Sequence, residues 1–192
     1  MPNRFLNNSL SHQRQNEIRM HILSRLKFIK VFVFDMDGVL TDGSIMVDSD
    51  NNWLRRMNIR DGYALQMAVR EGFKVIVVSG SSSPQVLDRL NKLGIKDVFM
   101  NVKDKPSFLK KISTERGLAL NEVLFMGDDI PDYFCLQLAG VGACPADAAS
   151  EIKEIASYIS PFAGGNGCVR DVIEKVMKLN KKWTFQNNVP ST

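Results

Sequence analysis

The chain has 192 residues, of which 44% are hydrophobic and 24% charged, and a formal net charge of +4. That length and balance favour one globular domain with a sizeable core, and exclude a low-complexity or disulfide-stapled polypeptide. No stretch is apolar for long enough to cross a membrane and no secretory-type apolar segment is present, so a cytoplasmic protein without membrane partners is expected.

The positive charge is concentrated early. Residues 1–30 hold Arg4, Arg14, Arg19, Arg25, Lys27 and Lys30 against Glu17 alone. With no interleaved aromatics and no binding motif, residues 1–27 read as a basic leader, solvated or packed, and not as a nucleic-acid site. Cys135, Cys144 and Cys168 are odd in number and lack ligand spacing, which predicts reduced, buried thiols. His12 and His21 both fall in the leader, so carboxylates must carry any acid–base chemistry.

In chain order, residues 1–12 are polar, and 13–27 repeat Ile18, His21, Ile22 and Leu26 near helical spacing. Residues 31–35 are an apolar run that predicts a buried parallel strand. Residues 44–59 read as a hairpin with a polar tip at Asp48-Ser49-Asp50-Asn51-Asn52. Helices are expected at 62–71, 84–93, 107–116, 131–138, 148–156 and 169–179. Strands are expected at 73–79, 97–100, 123–126, 141–143 and 158–160. This alternation predicts an α/β fold, a three-layer Rossmann-like sandwich around a parallel sheet, over residues 28–183. Residues 184–192 read as a disordered tail.

Polar residues close each of the main strands. The first ends in Asp35-Met36-Asp37-Gly38-Val39-Leu40-Thr41 and the second in Ser79-Gly80-Ser81. Lys105 follows the third, and Gly127-Asp128-Asp129-Ile130-Pro131-Asp132 the fourth. In a doubly wound sheet these ends share one rim, where ligands bind. Alone, each piece is ordinary turn chemistry or an acidic helix start. Together, carboxylates, a hydroxyl and an ammonium suit phosphoryl transfer. Asp35 and Asp128, with the backbone carbonyl of Asp37, can hold Mg²⁺. Asp35 can attack phosphorus, and Asp37 can protonate the leaving oxygen and then deprotonate water. Ser79 and Lys105 can bind phosphoryl oxygens. Asp129 and Asp132 are expected beside the metal without touching it.

These four motifs resemble those of the haloacid dehalogenase superfamily, which implies an Asp nucleophile, an Asp acid/base and Mg²⁺. The short gaps between motifs leave no room for a cap domain, so the resemblance is to the capless branch. Asn58-Ile59-Arg60-Asp61-Gly62-Tyr63 and Gly164-Gly165-Asn166-Gly167-Cys168-Val169-Arg170 are similar to segments of the 3-deoxy-D-manno-octulosonate 8-phosphate phosphatases. Those enzymes serve lipopolysaccharide synthesis. The resemblance implies a homotetramer whose neighbouring subunits help close the site, with Asn58, Ile59, Arg60, Asp61, Gly62 and Arg89 on a sugar-acid phosphate.

Other readings stay open at this point. Arg60 can pair locally with Asp61, Arg89 can be a helix-surface residue, and the glycine cluster can be a turn. Trp53, Leu54 and Met57 are either an interface or the packed face of the hairpin. Ser81 and Gln66 stand where many of these phosphatases carry Arg, which leaves a nine-carbon sugar acid 9-phosphate as the alternative substrate. A phospho-receiver or scaffold protein is the remote alternative, disfavoured by Asp37, which a slow switch does not need.

Overall fold

The computed structural model describes residues 21–184. The leader to residue 20 and the tail from 185 lie outside these. A helix over 21–27 (α1) leads into β1 (Val31–Phe34), and a hairpin of β2 (Met46–Val47) and β3 (Trp53–Leu54) follows. Then come α2 (Ile59–Arg70), β4 (Lys74–Val78), α3 (Pro84–Lys92), β5 (Asp97–Phe99), α4 (Lys105–Glu115) and β6 (Val123–Met126). The chain continues through α5 (Tyr133–Leu138), β7 (Val141–Cys144), α6 (Ser150–Ile155), β8 (Tyr158–Ile159) and α7 (Cys168–Leu179).

Six strands form one parallel sheet in the order β5-β4-β1-β6-β7-β8, with β1 between β4 and β6. Alternate side chains explain the three layers. Phe32 and Phe34 of β1, Val75 and Val77 of β4 and Leu124 and Met126 of β6 enter one core with α1, α2, α3 and α7. Val31, Val33, Ile76, Val78, Val123 and Phe125 enter the other, with α4, α5 and α6. Both faces are therefore apolar, which is why these strands read as unbroken hydrophobic runs. The three cysteines are free and buried.

Helix starts carry their own signals. Asn58 accepts from the Arg60 amide at 2.8 Å, Ser83 from Val86 at 3.4 Å, and Asp104 from Ser107 at 3.0 Å. Such caps satisfy amides left orphaned in a first turn. The Asn58 cap corrects the expected hairpin boundary. Paired strand ends at Leu54, and α2 begins at Ile59 rather than Gly62. A short turn segment over Met36–Leu40 and the hairpin separate β1 from α2, and no cap domain is present among the described residues. Met57 packs on the first core, whereas Trp53 and Leu54 are exposed.

Candidate active site

The sheet order creates the site. From β1 the chain winds outward to β4 and β5, then returns to the opposite side of β1 as β6. A parallel sheet opens a crevice at such a reversal. Asp35 leaves β1 and Asp128 leaves β6 on its two sides, and the Asp35 amide still donates to the Met126 carbonyl at 3.0 Å. A cavity of about 480 Å³ at this rim is lined by Asp35, Asp37, Ser79, Lys105, Asp128, Asp129 and Asp132, among others. Each expected catalytic, metal and phosphate residue thus borders one space.

Lys105, the first residue of α4, lies between two carboxylates, 2.8 Å from Asp35 Oδ1 and 2.7 Å from Asp132 Oδ1. Burial alone would lower its ammonium, but Asp132 and Asp35 outweigh that and hold it above the ordinary lysine value. Burial, and then the negative charge of Asp132, pushes Asp35 up to about 8 despite Lys105. Asp128 is pushed up to about 7 by burial and by Asp132 and Asp129. This rim is short of positive charge.

Asp37 is held separately. Arg55 Nε donates to its Oδ1 at 2.6 Å and Nη2 to its Oδ2 at 3.2 Å. The Ser81 hydroxyl donates to Oδ2 at 2.6 Å, and the Thr41 hydroxyl faces Oδ1 at 3.5 Å. Ser79, almost fully buried, accepts from the Ser81 amide at 3.1 Å. Gly38 follows with φ of 88°. Any side chain there would collide with the Asp128 carboxylate, so glycine lets the loop after β1 meet the loop after β6.

Residues 97–172 match the family described as haloacid dehalogenase-like hydrolase. A crystal structure from Moraxella catarrhalis, a 3-deoxy-D-manno-octulosonate 8-phosphate phosphatase in complex with magnesium ion, phosphate ion and KDO, superposes with a TM-score of 0.80. It is 32% identical and covers 85% of this chain and 92% of its own. The chain belongs to the haloacid dehalogenase-like hydrolases. A 3-deoxy-D-manno-octulosonate 8-phosphate phosphatase of Salmonella typhi is 28% identical over 165 residues, covering 86% of this chain and 88% of that protein. The cobalt-bound deoxy-D-mannose-octulosonate 8-phosphate phosphatase of Haemophilus influenzae superposes with a TM-score of 0.78 at 27% identity, covering 82% of this chain and 92% of its own.

A hard divalent cation fits this hydrolase's rim. One oxygen each from Asp35, Asp128 and Asp132 lies within 4.8 Å of the others. Asp128 Oδ1 is buried and has no hydrogen-bond partner among the described residues. An orphaned buried carboxylate oxygen is costly unless a cation or donor meets it. Asp132 is already engaged: Oδ1 takes Lys105 and Oδ2 accepts the Asp128 amide at 3.2 Å. It therefore orients Lys105 and the Asp128 loop. Asp129 is exposed and accepts from the Ile130 amide at 2.8 Å, which starts the following turn.

The residues expected on the substrate lie elsewhere. Asn58 and Arg60 line a second cavity of about 530 Å³, with Phe162, Asn166, Gly167 and Arg170. Ile59 is exposed. Gly62 packs beneath the Arg89 guanidinium, and Arg89 borders a smaller cavity under the hairpin. Asp61 is 2% exposed and accepts from the Gly167 amide at 3.1 Å and the Arg170 amide at 2.7 Å. Its carboxylate closes the start of α7. Burial raises its pKa, and the two amides work against that. Asp61→Ala leaves both part-buried amides without their acceptor, and is expected to cost about 1–3 kcal/mol in a urea melt.

The glycine cluster also has a structural part. Gly164 abuts the backbone of Gly38 and Thr41 so closely that a Cβ would overlap the Gly38 carbonyl. The Gly165 amide donates to Val39 at 2.9 Å. This segment braces the loop that carries Asp37. Arg55 is the residue the sequence reading missed. A DxD motif does advertise a need for nearby cations, but nothing in the hairpin's composition marks which cation answers it.

Proposed function

We propose that this hydrolase removes phosphate from 3-deoxy-D-manno-octulosonate 8-phosphate, with Mg²⁺ held by Asp35, Asp128 and the Asp37 carbonyl. The observation that carries the reading is the rim itself. Asp35 and the unpartnered Asp128 oxygen face each other across the β1–β6 crevice, and Lys105 stands beside them. Similarity to the Moraxella enzyme, solved with magnesium, phosphate and KDO, supports the substrate. The step serves lipopolysaccharide precursor synthesis in the cytoplasm.

A bound Mg²⁺ supplies the positive charge this rim lacks, so that an anionic carboxylate and an anionic phosphate can approach. Asp35 attacks phosphorus; the new P–O bond forms as the ester P–O bond breaks. Asp37 gives its proton to the departing sugar oxygen. Asp37 then takes a proton from water as that water attacks phosphorus, the bond to Asp35 breaks, and phosphate leaves. Ser79 and Lys105 hold the phosphoryl oxygens. Asp129 and Asp132 support the metal loop.

The sugar end needs a neighbour. Asn58 and Arg60 border a cavity separate from the reacting carboxylates. A homotetramer in which one subunit's Asn58–Gly62 segment and Arg89 meet another's rim would join the two halves. Arg60 would then pair with the sugar carboxylate by its two-pronged guanidinium. Ser81 and Gln66 favour testing the nine-carbon acid in parallel.

The deciding measurement is kcat/KM with Mg²⁺ on the eight-carbon acid 8-phosphate, a nine-carbon acid 9-phosphate and neutral hexose phosphates. A preference of ~100-fold for the first, about 2.7 kcal/mol of transition-state discrimination, is expected. Equal rates on all would reject this substrate and leave the phosphatase chemistry in place.

A further inference from the structure

Asp35 and Asp37, two residues apart, are each met by a cation of their own. Lys105 comes from the strand-end rim and borders the reaction cavity. Arg55 comes from the other direction. It follows β3 of the hairpin, its side chain is only 2% exposed, and it borders the small cavity under the hairpin with Trp53, Met57 and Arg89. Its fork grips both oxygens of Asp37, and Nη2 also reaches the Ser81 hydroxyl at 3.3 Å. Ser81 in turn donates to Asp37 Oδ2 at 2.6 Å. The three side chains form a closed triangle, with Asp37 and Ser81 on the cavity and Arg55 behind them.

We infer that Arg55, together with Ser81, is the positioning device for Asp37 in the hydrolytic reaction. A guanidinium carries N–H donors and no acceptor, so Arg55 offers no site to take up a proton from Asp37. What it does is fix the plane of the carboxylate, because two parallel N–H bonds determine direction where a single ammonium contact would not. Acid–base catalysis falls steeply when the group drifts from the atom it serves. Asp37 sits in the loop after β1 with its side chain partly open to solvent; the glycine segment braces the backbone of that loop, and the grip from behind fixes the carboxylate itself. Ser81 thereby has a part of its own: it completes the triangle with an arginine supplied by the hairpin.

This inference rests on the assignment of Asp37 as acid/base, and the test separates the two. The probes are phenyl phosphate and 4-nitrophenyl phosphate, alike in shape but unequal in their need for a proton on departure. For the Mg²⁺-loaded full chain, kcat/KM on both is measured for the parent, Asp37→Asn, Arg55→Met, Arg55→Lys and Ser81→Ala. Asp37→Asn is expected to lower the phenyl ester by about 10-fold more than the nitrophenyl ester. Arg55→Met should shift the ratio in the same direction, and Arg55→Lys should recover part of it. A purely structural role would lower both esters equally, and a substrate contact would raise KM on both; either result overturns the inference. If Asp37→Asn leaves the ratio unmoved, the acid/base assignment fails and the inference with it. If Arg55→Met does not fold, judged by circular dichroism, Arg55→Lys and Ser81→Ala report the same ratio. An unchanged ratio in both overturns the inference.

Discussion

Asp35→Asn is expected to lower phosphatase activity by on the order of 10⁴-fold or more while the protein keeps its fold and loses no stability. The amide has nearly the shape of the carboxylate but cannot attack phosphorus. The stability half of the prediction follows from the environment. Asp35 is buried, and its pKa is pushed up to about 8 by that burial and by Asp132. A carboxyl whose folded pKa exceeds its unfolded value binds its proton more tightly in the fold. Its ionisation therefore subtracts stability progressively as pH rises from the ordinary aspartate range toward about 8. Replacing it removes that charge. Thermal melts of parent and variant without metal should favour the variant more as pH rises through this window. A variant that retains activity would remove Asp35 as nucleophile. A variant that melts much lower would mean that its pairing with Lys105 outweighs burial.

Lys105→Met is expected to be the most destabilising single change at the site, by about 3–5 kcal/mol. Lys105 is 5% exposed and contacts two carboxylates within 2.8 Å. Methionine fills similar space but leaves Asp35 and Asp132 facing each other in a low-dielectric pocket with no cation. Activity should fall as well, by ~10²–10³-fold, if Lys105 holds a phosphoryl oxygen as proposed. Urea melts and kcat/KM on one substrate test both statements. A loss confined to activity would show that the buried pair contributes nothing net to the fold.

Much of this was legible in the residues. Val31–Phe34 and Val123–Met126 are apolar on both faces because the sheet is covered on both sides, so their runs mark strands without knowledge of neighbours. Asp35, Ser79 and Asp128 announce a site because polar residues directly after such runs can only lie at the carboxyl rim. The boundary of α2 was less legible. Ile59 and Arg60 suit a strand as well as a first helical turn, and Asn58 decides between them only by accepting the Arg60 amide. The dual duty of Asp132, to Lys105 and to the Asp128 amide, likewise needed the turn that brings it back under Gly127.

The strand ends, the order of the four motifs and the absence of room for a cap could be read along the chain, because they depend on local pattern and spacing. Which charges meet depends on the packing in space. The order β5-β4-β1-β6-β7-β8 puts Lys105 against Asp35 and Asp132, and the fold of the hairpin brings Arg55 to Asp37 across 18 residues. That packing also set Asn58 and Arg60 on a cavity apart from Asp35 and Asp37 and gave Asp61 to the start of α7. Distances of this kind arise from how sheet, hairpin and helices pack through space, and the pattern of polar and apolar residues along the chain carries no measure of them.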